Sequence, residues 1–314
     1  MFENEILLFG LFNVFILLLL AIDLGVFHRT PHAIGLKEAT LWSILWVAVA
    51  LVFNAGVFFV AGHNKGLEFL TGYLIERALS FDNIFVFVVI FSYFGVPTQY
   101  QYKALIWGVI GALITRLIFI VAGTALIAKF EWILYVFGVV LIASGWKIMV
   151  QKGTEVHPER NIFIRLVRRL FPVVTNYDSP RFFQRIGGRA FMTPLFLVLV
   201  TIETTDIMFA MDSIPAVFGV TRDPFIVYSS NVFAILGLRA TYFLLAGIME
   251  TFHYLSFALS TILIFIGLKM LLEHIYPIST VVSLGVVVVL LLFAIIASLI
   301  RNRRLARKGG SHDE

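Results

Sequence analysis

The sequence predicts an all-α, polytopic membrane protein of about nine transmembrane helices, and three observations carry that prediction. Of the 314 residues, 60% are hydrophobic and only 14% charged, with a mean hydropathy of +0.95. That balance excludes a large water-soluble core and suits a chain dissolved in lipid. Apolar stretches of about 20 residues, the length that crosses a hydrocarbon layer, recur along the chain. The basic residues collect between those stretches and near the end, the distribution that orients a membrane protein.

Residues 1–27 open with Glu3 and Glu5 and run apolar to Asp23 without a small-residue cleavage site, so they read as a retained span rather than a signal peptide. Further spans fall near residues 40–61, 67–94, 105–127 and 132–150. The segment 151–189 then sets eight Lys and Arg residues against Glu155, Glu159 and Asp178, which predicts a cytoplasmic loop. Four more spans fall near 191–214, 225–249, 255–272 and 278–300, and the ending RNRRLARK predicts a cytoplasmic C-terminus. An odd number of spans places the acidic N-terminus outside. The formal charge of +5 thus resolves into orienting charges in an inner, cytoplasmic membrane, and a nucleic-acid partner is not expected.

Two spans carry polar groups where a lipid-crossing helix should carry Leu. TGYLIERALSFDNIFVF, residues 71–87, holds Glu76, Arg77, Asp82 and Asn83; VLVTIETTDIMFAMDSIPAVF, residues 198–218, holds Glu203, Asp206, Asp212 and Ser213. A carboxylate at mid-membrane costs roughly 2.5 to 3.5 kcal/mol on insertion scales, so such groups face a polar interior or a partner. Aligning Asp82-Asn83-Ile84 with Asp212-Ser213-Ile214 brings Glu76 onto Asp206. Six residues are about 9 Å of helix, too far for one acid pair to chelate an ion unaided, so a site needs both spans or a break in one. Pro215 is the expected break, freeing backbone carbonyls as ligands.

The same halves repeat elsewhere: LIASGWKIMV at 141–150 matches LIFIGLKMLL at 263–272, placing Gly145 on Gly267 and Lys147 on Lys269, and Arg116 precedes an Ala-Gly pair as Arg239 does. Three helices per copy is an odd number, so the second copy is inverted, an arrangement that sets a substrate site near the midplane. The expected units are two N-terminal helices (1–66), a first three-helix repeat (67–150), the basic loop (151–190), a second repeat (191–274) and a last helix with its basic tail (275–314).

The runs FLTGYLIERALSFDNIFVF, ETTDIMFAMDSIPAVFGVTRDPFIVYSSNVFAILGLRATYFLLAG and GLKML resemble the TerC family of integral membrane proteins, nearest its Alx branch. The resemblance implies a manganese(II) transporter, mainly an exporter, in which Glu76, Asp82, Glu203, Asp206 and Asp212 support transport. It does not say which of them touch the ion. Hard divalent cations take oxygen ligands, and Asp82 with Asn83 and Asp212 with Ser213 supply them twice, making Asp82 and Asp212 the expected principal ligands. Glu203 and Asp206, three residues apart on one helix face, form a second set or a relay. Arg77, Arg116 and Arg239 offset part of this charge, or bind the acids permanently as structural pairs. Met208 and Met211 beside the acids read as gap filler or as soft ligands, and Asp23 and Asn54 line a vestibule or an interface. A desolvated carboxylate also permits exchange of a proton for a metal ion.

The chain has no Cys, which removes thiolate metal sites, redox pairs and disulfides. It carries no phosphate-binding Gly loop and no HExxH, so no enzyme and no resident cofactor are expected; manganese(II) enters as transported substrate. Asp82 with Asp212 superficially suits an intramembrane aspartyl protease, but matching acids in both copies exceed what peptidase chemistry requires. The alternative from another class is a non-transporting membrane scaffold in metal or tellurium stress that recruits soluble partners through the basic loop.

Overall fold

The computed structural model describes residues 2–23, 35–150, 173–174, 181–186, 189–245 and 254–309. Among these residues ten helices and one hairpin form an all-α membrane architecture. In chain order they are α1 (Phe2–Ile22), α2 (Leu36–Ala61), α3 (His63–Tyr93), α4 (Thr98–Lys129), α5 (Ile133–Val150), strands β1 (Phe183–Ile186) and β2 (Arg189–Met192), α6 (Pro194–Phe218), α7 (Pro224–Leu236), α8 (Leu238–Leu245), α9 (Leu255–Leu272) and α10 (Thr280–Gly309). Six of them, α2, α4, α5, α6, α9 and α10, are long and apolar enough to cross a membrane. Their outward faces remain apolar, with Val52, Phe59 and Val60 of α2 and Phe293 of α10 exposed, as a lipid-facing surface requires.

Local chemistry sets the joints. Gly62 alone separates α2 from α3, at φ 94°, a left-handed conformation that glycine adopts without a Cβ clash. Gly95, at φ 61°, ends α3, and Val96 donates its N–H back to the Phe91 carbonyl at 2.9 Å, a Schellman-type closure. The Asp223 carboxylate accepts from the amides of Phe225 and Ile226 at 3.0 and 3.3 Å, and Pro224 opens α7, combining an N-cap with proline at the first helical position.

Three expectations change. The span expected at 225–249 is two helices, α7 and α8, parted at Gly237. The Arg77 side chain of α3 lies against that glycine and donates to the Ala234 carbonyl and the Thr241 hydroxyl, satisfying an acceptor that the break releases. Pro215 does not end α6, which continues to Phe218: every residue from Ser213 to Phe218 is buried, and packing overrides the proline's local preference. The β1–β2 hairpin, antiparallel with Phe183 opposite Met192, occupies the end of the expected loop and delays α6 to Pro194. Most of the loop itself, like most of the residues between α1 and α2, lies outside the described residues.

The helices pack in three principal pairs, α3 along α7, α4 along α6, and α5 along α9. The third is the closest. A Cβ on Gly138 would come within 3.0 Å of the Gly267 carbonyl oxygen, and one on Gly267 within 2.6 Å of that of Gly138; small residues are what let membrane helices approach so nearly. An aromatic cluster of Phe12, Phe53, Phe69, Phe225, Tyr228 and Phe233 joins α1 and α2 to α3 and α7.

Candidate ion site at Arg116

On α3 the buried polar positions Glu76, Ser80 and Asn83 follow one another at i, i+4 and i+7, one stripe of a helix. On α6 Asp206, Ala210 and Ser213 make the same stripe. Between them runs α4, whose buried positions Ala104, Gly108, Ala112, Arg116 and Ile120 recur every four residues; small side chains flank the single guanidinium and admit α6, with Gly108 against Ile202.

Arg116 is 1% exposed and binds residues of three other helices. Its Nη1 donates to Glu76 Oε1 on α3, to Ser213 Oγ on α6 at 3.2 Å and to Asn231 Oδ1 on α7 at 3.0 Å. Its Nη2 and Nε meet Asp206 Oδ1 and Oδ2 at 3.2 and 3.5 Å, the two-pronged grip that a planar guanidinium makes on a carboxylate. Glu76 is fully buried and Asp206 is 3% exposed. Two buried polar atoms of this cluster, Glu76 Oε2 and Asn231 Nδ2, have no hydrogen-bond partner among the described residues. A buried carboxylate oxygen without a partner is costly.

Glu203 extends the cluster along α6. Its half-buried carboxylate sits in the notch that Gly111 of α4 leaves open, where a Cβ would collide with both of its oxygens. It is close enough to Asp206 to be repelled by it and takes no hydrogen bond from a described residue. Two carboxylates, Glu76 and Asp206, therefore share one guanidinium, leaving negative charge in surplus, with Glu203 beside Asp206.

Asp212 does not join this group. Six residues along α6 turn it about 120° away from the Asp206 face, and its Oδ1 accepts from Ser144 Oγ of α5 at 2.7 Å, with the charge of Lys147 nearby. The Asp82 side chain lies outside the described residues. Met208 and Met211 are 67% and 57% exposed, so they neither fill gaps nor turn toward the acids. Of the other arginines, Arg77 serves the α7–α8 break, and Arg239 is buried against Asp23 and donates to the Tyr102 hydroxyl at 3.2 Å. Asp23 is thus an interior residue, and Asn54 is also buried, its Oδ1 unpartnered among the described residues. No group of three His, Cys, Asp or Glu side chains among the described residues is arranged to hold a metal ion; Arg116 occupies the position between the acids. Sequence reasoning passed over Asn231 and Ser144. Asn231 had a signal of the kind that exposed Glu76, since Ser229-Ser230-Asn231 interrupts an apolar span, whereas a lone serine such as Ser144 carries little.

Helices apolar on their lipid side with charged groups gathered inside define a polytopic integral membrane protein built around a buried ionic centre. The sequence model described as "Integral membrane protein TerC family" matches residues 61–306, and the chain belongs to that family. It is 51% identical over 292 residues to an uncharacterized membrane protein, STKORF319, of Myxococcus xanthus, covering 93% of this chain and 92% of the relative. It is 44% identical over 314 residues to an Escherichia coli (strain K12) protein bearing the name "Putative membrane-bound redox modulator Alx", covering 97% and 98%. A Rickettsia felis membrane protein is 41% identical over 295 residues, covering 94% and 98%. No solved structure matches the chain.

Proposed function

We propose that the protein carries a divalent cation, manganese(II) above others, outward across the cytoplasmic membrane, with Glu76, Asp206, Glu203 and Ser213 as the central ligands and Asn83 and Asp82 completing the path on α3. The observation that carries this reading is the Arg116 cluster: carboxylates from both halves of the chain share one guanidinium and keep an oxygen unused. The choice of manganese and of export rests on what the family resemblance implies. The relatives' name, redox modulator, brings no thiol chemistry to a chain without cysteine.

In this reading Arg116 is the resident counter-ion. It offsets part of the charge of Glu76 and Asp206, and an arriving cation takes over those oxygens as the guanidinium withdraws toward Asn231. Glu203, unbonded in the Gly111 notch, receives either the cation or a proton, which gives proton coupling a carrier. Asp212, set against Ser144, acts apart from the central ligands.

The inverted repeat is part of the proposal, with α3–α5 and α6–α9 as the two units. The alignment that sets Gly145 on Gly267 also sets Gly138 on Ser260. Gly138 packs on Gly267, and Gly145 packs on the Ser260 carbonyl; exchanging the units maps one contact onto the other, as a two-fold axis within the membrane demands. The pairing of α3 with α7 and of α4 with α6 has the same reciprocity. Counting α1, α3 and the α7–α8 pair with the six apolar spans gives nine crossings, an outside N-terminus and a cytoplasmic C-terminus.

Flux into proteoliposomes tests the proposal, with Mn²⁺, Mg²⁺, Ca²⁺ and Zn²⁺ compared on wild-type protein and on Glu76→Gln. Manganese uptake that the substitution removes supports it; the absence of wild-type flux for every ion rejects it. The scaffold alternative rests on the basic loop, which lies largely outside the described residues, and no observation favours it.

A further inference from the structure

At the end of the bundle where α6 finishes and α7 begins, a cavity of about 520 Å³ opens between the first turn of α3, residues 219–223, the end of α9 and the start of α10. Three acids and three bases line it, and all but one are engaged with one another. Glu68 is held by Lys65 at 2.9 Å and by the Thr221 hydroxyl. Asp223 is held by Lys65 at 3.1 Å and caps α7. Glu273 is held by Arg222 at 3.1 Å, and Arg222 also binds Glu131. Lys269 is the exception: it is 8% exposed, lines the cavity and makes no hydrogen bond or ion pair with any described residue. Glu273 and Glu68 attract it only from a distance. An ammonium that faces a cavity without a bonded partner among the described residues is free to take an anionic oxygen there.

The opposite wall supplies one. Thr280 opens the 30-residue helix α10, and the amides of Thr280 and Val281 lack intrahelical partners by their position, while the Val282 amide meets Ser279 Oγ at 3.4 Å. A helix N-terminus with free amides and a hydroxyl is a ready anion seat. We propose that this cavity binds a phosphate group, held between the Lys269 ammonium, the Thr280 hydroxyl and the first amides of α10. The group belongs either to a free phosphate or to a phospholipid headgroup whose chains lie against the bundle. The inference does not depend on transport, and it gives a role to a repeat landmark that the central site leaves unused.

The test uses the full-length protein in two arms. In delipidated detergent solution, inorganic phosphate is titrated calorimetrically into wild type, Lys269→Met and Thr280→Val; in parallel, native mass spectrometry counts retained phospholipid. Free phosphate as ligand predicts saturable binding that Lys269→Met weakens at least tenfold and Thr280→Val severalfold. A headgroup as ligand predicts one retained phospholipid that Lys269→Met loses and inorganic phosphate displaces. Equal phosphate affinity and equal lipid retention in wild type and a folded Lys269→Met protein overturn the proposal. If Lys269→Met does not fold, unchanged phosphate affinity and lipid retention in Thr280→Val overturn it.

Discussion

Two buried arginines, Arg116 of α4 and Arg239 of α8, solve the same problem differently. Arg239 faces one acid, Asp23, and one phenol, Tyr102, beside a cavity of only about 20 Å³. Its charge is matched one to one, and the pair ties the end of α1 to α8. Arg116 faces two acids, one of which keeps a carboxylate oxygen without a partner among the described residues, and a third acid, Glu203, stands beside Asp206. A matched pair is a tether; a cluster with more negative than positive charge has an affinity to spare for a mobile cation.

The comparison breaks most visibly at the tether. Asp23→Ala leaves the Arg239 guanidinium buried and unpaired, which should cost ~3–5 kcal/mol and appear as a large fall in thermal midpoint, while the flux per folded molecule is retained. Glu76→Gln should do the opposite, since Asp206 still balances Arg116: manganese flux should fall about 100-fold, the upper end of what losing even a group that supports a metal ligand costs, with the midpoint little changed. At the α5–α9 crossing, Gly267→Ala forces a methyl against the Gly138 carbonyl and should cost ~1–3 kcal/mol, read as a lower midpoint. Gly111→Ala pushes only the Glu203 carboxylate from its notch and should lower flux about tenfold, as misplaced support for a metal site does, while altering its pH dependence. Met208→Leu, on the exposed face of α6, should change stability by less than ~0.5 kcal/mol and leave flux unchanged.

Much of the architecture was legible because lipid imposes a simple rule, about 20 apolar residues per crossing, and the boundaries of α2, α5 and α9 follow it closely. The Gly237 break was not legible, since its cause is Arg77, a residue 160 positions away in sequence whose role depends on packing. Pro215 misled for the complementary reason: a local preference was overridden by burial on every side. In the site, Glu76 and Asp206 were visible as acids in apolar spans, and Ser213 shares the Asp206 face because seven residues nearly complete two turns. Aligning the halves by residue type sets Asp212 on Asp82, whereas helical phase on α6 separates Asp212 from Asp206. No one-dimensional pattern shows that Arg116 would stand between both acids, because that meeting of α3, α4, α6 and α7 exists only after the halves have packed together.

The most direct measurement is manganese(II) counterflow in proteoliposomes for Asp206→Asn beside Asp212→Asn, each normalised to correctly inserted protein. The account predicts that Asp206→Asn abolishes exchange while Asp212→Asn keeps a substantial part of it. Exchange that survives loss of the Asp206 carboxylate would contradict a cation site shared with Arg116.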